Sequence, residues 1–146
     1  MIKKICLFIY LFVTSCIAFS NAPHMENRLP LSNDELTQLV SGNTMIGFTC
    51  HSQSVYLLYF YPDGRLFFKK NASNKESRVG QWWVKDNEIM SQWKTYKRSG
   101  VNKLRYYHID GNTYKPFNIN NACGPAGTFG HPFMVFQGRY DLIKSN

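Results

Sequence analysis

The chain is short of cysteine, of acidic residues and of every spacing that marks catalysis or metal binding. It has four cysteines in 146 residues, and none lies in a C-x-x-C pair or beside an H-x-x-x-H spacing, so no zinc site or other metal site is expected. Ser41-Gly42 and Ser52 lack the G-x-S-x-G pattern of a nucleophile elbow. The four histidines are scattered: His24 lies near two prolines, His51 follows Cys50, His108 alternates with Tyr106 and Tyr107, and His131 lies in a Gly/Pro-rich stretch. His108 is the one histidine placed to act as an acid or base in a barrel mouth, against the plainer reading of a structural or surface residue. No Pro/Gly/Ser-rich linker or internal repeat divides the chain. These absences point to one non-catalytic domain with no cofactor.

The first twenty residues carry the clearest positive signal. Lys3 and Lys4 form a basic start, Ile5 to Val13 form an apolar run too short to span a bilayer comfortably, and small residues follow, in the order of an export signal. Two forms of processing stay open. Ala18-Phe19-Ser20 suits cleavage that leaves a chain starting at Asn21, whereas Val13-Thr14-Ser15-Cys16 resembles a lipoprotein box in which Cys16 is lipidated. Bulky Ile17 and Phe19 favour soluble export, periplasmic or secreted, over a membrane tether at Cys16. The expected organisation is a signal peptide over 1–20, a flexible lead-in over 21–30 and a single domain over 31–146, with no transmembrane segment in the mature chain.

Loss of the leader sorts the cysteines. Cys50 and Cys123 remain, and two cysteines in an oxidising compartment pair as a structural disulfide worth about 4 kcal/mol in the loop-entropy model. Without Lys3 and Lys4, 15 of the 17 basic residues stand against 9 acidic ones. That balance favours an anionic partner, against the alternative of a merely soluble basic surface.

One helix is predicted. Ser32 can cap it, Glu35 completes a capping box, Leu36, Leu39 and Val40 share a face, and Gly42 stops it. Strands are predicted over 44–50, 54–61, 65–70, 77–85, 88–95, 103–109, 113–117 and 133–143. Pro62-Asp63-Gly64, Lys85-Asp86-Asn87 and Asp110-Gly111-Asn112 supply tight turns. The fold class is mainly β: a small antiparallel barrel or strongly curved meander of about eight strands with the N-terminal helix packed on it. Val55 to Tyr61 is apolar on both faces, and the helix is the expected cover for its outer side. Trp82 and Trp83 should point to opposite faces.

Three segments, Leu31-Ser-Asn-Asp-Glu-Leu-Thr-Gln-Leu-Val-Ser-Gly-Asn-Thr44, Tyr59-Phe-Tyr-Pro-Asp-Gly-Arg65 and Gly80-Gln-Trp-Trp-Val-Lys-Asp-Asn-Glu-Ile-Met-Ser-Gln-Trp93, resemble an uncharacterised bacterial family of small exported domains. Its pattern is a helix ending in "vSGNT", a "Y-x-P-D-G" turn and a "G-x-W-x-V-x-x-x-x-I" strand, and the likeness runs from Leu31 to about Phe117. The resemblance implies a compact lipocalin-like β-barrel and brings no activity with it. Where the family pattern carries cysteines near its central strands, this chain has Met90 and Tyr106.

The strongest local signal for binding is Lys94 to Arg105, with five basic residues and no acid. As a hairpin it would present Lys94, Tyr96, Lys97, Arg98, Lys103 and Arg105 to an anionic partner such as a phospholipid headgroup, lipopolysaccharide or a host protein. No specific nucleic acid is expected, and the protein is expected to be monomeric. Two other readings remain: an inhibitor or protein-interaction domain that acts on an exported enzyme through a loop, with the Asn118–His131 loop a place for partner contact, and a carrier with an apolar cavity lined by the Tyr56–Tyr61 strand and Trp82-Trp83. A filled interior is the simpler expectation for so small a barrel. Asn71-Ala-Ser73 matches a glycosylation acceptor and reads here as a polar turn. Intact mass spectrometry of the mature protein should show a chain beginning at Asn21 and two hydrogens lighter than its reduced formula; a thiol count of two would remove the Cys50–Cys123 pairing.

Overall fold

The computed structural model describes residues 28–49, 54–70, 78–94, 100–121 and 124–139. The leader with Cys16, both Cys50 and Cys123, the Asn71 acceptor site, and Tyr96, Lys97 and Arg98 lie outside the described residues. One helix, α1 (Asn33–Val40), precedes eight strands: β1 (Thr44–Phe48), β2 (Val55–Phe60), β3 (Arg65–Lys70), β4 (Arg78–Lys85), β5 (Glu88–Trp93), β6 (Asn102–Asp110), β7 (Thr113–Asn118) and β8 (Phe133–Phe136). Each strand pairs antiparallel with the next, and β1 pairs with β8, from Thr44 against Phe136 to Gly47 against Phe133, so the sheet closes into a barrel.

The two ends of the barrel differ because the connections alternate in length. Tyr61–Gly64, Asp86–Asn87 and Gly111–Asn112 make tight turns at one end. Asp86 and Asn87 both take positive φ, 56° and 58°, as a two-residue hairpin turn requires. The strand ends joined by the longer connections, Phe48 and Val55, Lys70 and Arg78, Trp93 and Asn102, and Asn118 and Phe133, all fall at the other end.

The helix plugs the short-turn end. Ser32 Oγ accepts from the Glu35 amide while the Glu35 carboxylate accepts from the Ser32 amide, completing the capping box. Gly42, at φ 75°, then turns the chain into β1. Asn33 and Asn87 exchange hydrogen bonds, each amide donating to the other's side-chain oxygen at 3.0 and 2.8 Å, which fastens the helix start to the β4–β5 turn. Arg28 donates to the carbonyls of His108 and Ile109, and the Leu31 amide donates to Tyr106 O, so the chain entering the helix lies along β6.

Leu36 and Val40 are fully buried and join inward-facing Met45, Phe60, Leu66, Trp82, Ile89, Tyr106, Phe133 and Val135 in one core. The helix therefore covers an end of the barrel and not the outer side of β2, as its apolar face suggested. That outer side is covered differently: Tyr59, Tyr61 and Phe67 cluster under Arg139, whose guanidinium lies about 6 Å from each ring. Trp82 and Trp83 do face opposite ways, the first donating its indole N–H to Tyr61 O at 2.9 Å and the second partly exposed.

Most strand limits lie within two residues of those expected. The exception is β8, which ends at Phe136 because Gly138 bends away at φ 74°, its amide bonded to Asn43 and its carbonyl accepting from Thr44 Oγ1. Truncating the plug should separate packing from capping. Leu36→Ala is expected to cost roughly 2–5 kcal/mol and Ser32→Ala about 1 kcal/mol in urea denaturation, and the reverse order would contradict a core anchored by the helix.

Candidate functional site

The interior is filled at the helix end and hollow at the other. Past Met45, Tyr106 and Phe133 the barrel holds a cavity of about 270 Å³ to which all eight strands contribute inward-facing side chains. Its apolar walls are Leu58, Phe68, Trp93, Leu104, Pro116 and Phe133, and Tyr56, Tyr106, Thr49, Arg78, Ser91 and Asn102 add polar groups to the lining. The expectation of a filled interior therefore holds for half of the barrel only. The small side chain of Ser91, between Ile89 and Trp93 on the same face of β5, leaves part of the space.

An aromatic belt stiffens the wall. Phe68 stacks on Tyr56 with ring centres 5.8 Å apart and meets Trp93 edge-on at 5.9 Å. Arg78 lies over the same Phe68 ring at 5.7 Å. Because Arg78, Gly80 and Trp82 share the inward face of β4, this arginine is an inward-pointing cation at the barrel mouth.

Two phenols meet on the cavity lining. The hydroxyls of Tyr56 and Tyr106 both approach the Met45 thioether, at 3.6 and 4.0 Å, a weak acceptor for two O–H donors. Gly47 makes room for this arrangement: a Cβ there would lie 2.9 Å from the Tyr56 hydroxyl. Burial pushes the Tyr56 phenol up to about 12, although its ring is part-exposed where it borders the cavity. Tyr106 is raised well above the ordinary value, by burial first and by its neighbour Tyr56 second.

Charge is unevenly placed. Every described acidic residue belongs to the plugged end: Asp34 and Glu35 in the helix, Asp63, Asp86 and Asp110 at the tight turns, and Glu88 at the start of β5. Cations occur at both ends; toward the mouth end Lys94 and Lys103 are exposed, whereas Lys69 is buried.

The predicted basic hairpin is only partly visible in this frame. Lys94 and Lys103 are exposed on its two strands. Arg105 is not a free hairpin cation: its guanidinium pairs at 3.0 Å with Glu88, a buried carboxylate on the adjacent strand. His108 lies at the plugged end, far along β6 from the mouth, with Nε2 2.9 Å from Gly111 O and its ring against Tyr114. It has a turn-stabilising contact and no place in the cavity. His131 is exposed in the last connection. Among the described residues, no three His, Cys, Asp or Glu side chains converge on a metal position, and no helix is long and apolar enough to cross a membrane.

Much of the Asn118–His131 segment is described. Its described residues fold back on β7: the Asn118 amide donates to Thr128 O, the Gly130 amide to Pro116 O, and Phe129 packs between Phe117 and Tyr107 on the outer wall. Asn118 is fully buried and holds this turn through Nδ2 on Thr128, while its Oδ1 has no partner.

A second apolar depression, of about 410 Å³, lies outside the wall over Ile46, Phe48, Val55, Pro132 and Met134. It is the larger of the two, but its lining offers almost no converging polar groups, whereas the interior cavity has two phenols and a guanidinium. Comparison with protein-family models, curated proteins and solved structures finds no match for this chain.

Sequence reasoning named Tyr56, Leu58 and Tyr106 but passed over Arg78, Ser91 and Asn102. The phase of β4 held the missing signal, since Arg78 lies two and four residues before Gly80 and Trp82. The raised phenols stabilise the fold below the ordinary tyrosine pKa, and that stability is lost as pH rises from about 10 through 12. Absorbance titration should therefore show Tyr56 and Tyr106 ionising only with unfolding; Tyr56→Phe should remove part of this alkaline instability, and a full complement of tyrosines ionising near pH 10 in the folded state would contradict their burial.

Proposed function

We propose that this protein is a non-catalytic binding module that takes a small, largely apolar ligand into the barrel through the long-loop end. One observation carries the reading: the same eight strands that pack a solid core under the helix leave about 270 Å³ open above it, walled by aromatic and aliphatic side chains. An apolar cavity of about 150 Å³ is enough to hold benzene, so this one suits a ligand of one or two rings or a short acyl chain. The described residues of the lining supply hydroxyls, an amide and one guanidinium and, among them, no carboxylate, imidazole, thiol or amine, which favours binding over acid–base or nucleophilic chemistry.

A second reading, contact with an anionic lipid, glycan or protein surface through Lys94 and Lys103, is favoured by their exposure and by the lack of a described acid at that end. An inhibitory loop has less support, because the described part of 119–132 is hydrogen-bonded onto the barrel wall. Export to the periplasm or beyond belongs to the same proposal and rests on the leader.

Neutral N-phenyl-1-naphthylamine provides a direct test. Its emission should rise saturably with one site per chain, and Leu104→Trp, which fills the cavity, should abolish the rise while the circular dichroism spectrum is kept. Enhancement that survives the filled cavity would assign the probe to the outer depression and overturn the proposal.

A further inference from the structure

We infer that the ligand carries a neutral acceptor oxygen, the carbonyl of a small apolar ketone, aldehyde or ester, and that Tyr56 and Tyr106 donate to it together. The inference rests on the cavity-binding reading and adds the chemical class of the ligand and the two groups that select it.

The first observation is the convergence of the phenols. Tyr56 belongs to β2 and Tyr106 to β6, strands that are not neighbours in the barrel. Both hydroxyls nevertheless reach Met45 Sδ on β1, at 3.6 and 4.0 Å, and all three side chains line the cavity. Two donors from different walls can therefore meet at one small acceptor. Each ring is fixed from the side: Tyr56 stacks on Phe68, and Tyr106 tilts against Phe133 with ring centres 4.7 Å apart. The donors are thus set in place before a ligand enters.

The second observation is how little the fold itself gains from them. A thioether is a weak acceptor, and a buried hydroxyl without a good partner is destabilising. Phenylalanine at both positions would supply the same rings without that loss. The chain also keeps space for one hydroxyl: a Cβ at Gly47 would lie 2.9 Å from the Tyr56 oxygen, nearer than the 3.1 Å to Phe133 Cβ. Gly47 has no positive φ to call for glycine, and glycine inside a strand weakens it.

The third observation is the chemistry of the pair. Burial holds Tyr56 up at about 12 and Tyr106 well above the ordinary value, so both are neutral donors at neutral pH. A carbonyl oxygen has two lone pairs, one for each donor. Two neutral donors can replace the water that a carbonyl loses on entry, whereas a carboxylate would give up the hydration of a full charge.

Acetophenone and ethylbenzene share a ring and differ by C=O in place of CH2, so titrating each into the full mature protein, followed by protein NMR, separates the two levels of the claim. In a cavity without donors the ketone binds more weakly, because it gives up hydrogen bonds to water. Here it should bind at least as tightly as the hydrocarbon. Tyr56→Phe with Tyr106→Phe should weaken acetophenone about tenfold and leave ethylbenzene unchanged. The infrared carbonyl stretch of bound acetophenone tests the same contact in the native protein: it should lie below its value in hexane and return toward that value in the double variant. An unshifted stretch, or unchanged ketone affinity in the double variant, would overturn the inference, with ethylbenzene binding still marking the cavity as a site. Equal weakening of both ligands by the substitutions would make the phenols packing groups and overturn it as well. Tighter binding of benzoate than of acetophenone would refute a neutral acceptor. Failure of both acetophenone and ethylbenzene to bind the native protein would overturn the cavity reading itself.

Discussion

Burial of Leu36 and Val40 under the short turns is the contact on which the barrel's asymmetry depends. Both side chains are fully buried against residues drawn from strands at opposite sides of the barrel, including Phe60, Trp82, Ile89 and Val135. A helix of eight residues is too short to be stable alone, so the capping box and the Asn33–Asn87 exchange serve to hold it where its apolar face can be used. Once that end is plugged, aromatic side chains in the same half have a ceiling to pack against. The opposite half has none among the described residues, and the strands there must be kept apart by their own rings.

That task falls to Tyr56, Phe68 and Trp93. Their edge and stacked contacts link β2, β3 and β5, with Trp93 reaching over Gly80 of β4, so the wall is held in shape by interactions within it as well as by filling of the interior. The arrangement allows a hollow region in a protein this small without losing the closure of the sheet. It also places a weakly satisfied pair of hydroxyls on the lining, where Met45 is their acceptor among the described residues. Packing and recognition thus draw on the same side chains.

Much of the fold was legible in the sequence because its signals are local. The Ser32–Glu35 spacing, the positive-φ turn at Asp86-Asn87 and the alternation through Gln81-Trp82-Trp83-Val84 each act over a few residues, and each appears in the structure as read. What was not legible depends on strands distant in sequence. The neutralisation of Arg105 by Glu88 requires the β5–β6 register, and the cover over Tyr59 and Phe67 requires Arg139 from beyond β8. The cavity is a further step removed, since its volume is the difference between what eight inward faces enclose and what they fill. Charge density along one segment drew attention to Lys94–Arg105, while the inward cation, Arg78, stood singly between Ser77 and Val79 and gained its meaning only from strand phase.

The closing seam gives the barrel an uneven mechanical character. β8 has four residues, and its ladder with β7 is limited to Thr113 against Met134 and Tyr114 against Phe133, whereas β6 and β7 pair along almost their whole length. A closed cylinder whose last joint is so brief has one preferred line of opening, and local fluctuations concentrate there because little ladder has to be broken. Phe133 lies on that line and also forms part of the cavity wall. The stave that shuts the barrel thus borders the enclosed volume through Phe133, while Val135, two residues on, ties the same strand to the core beneath the helix plug.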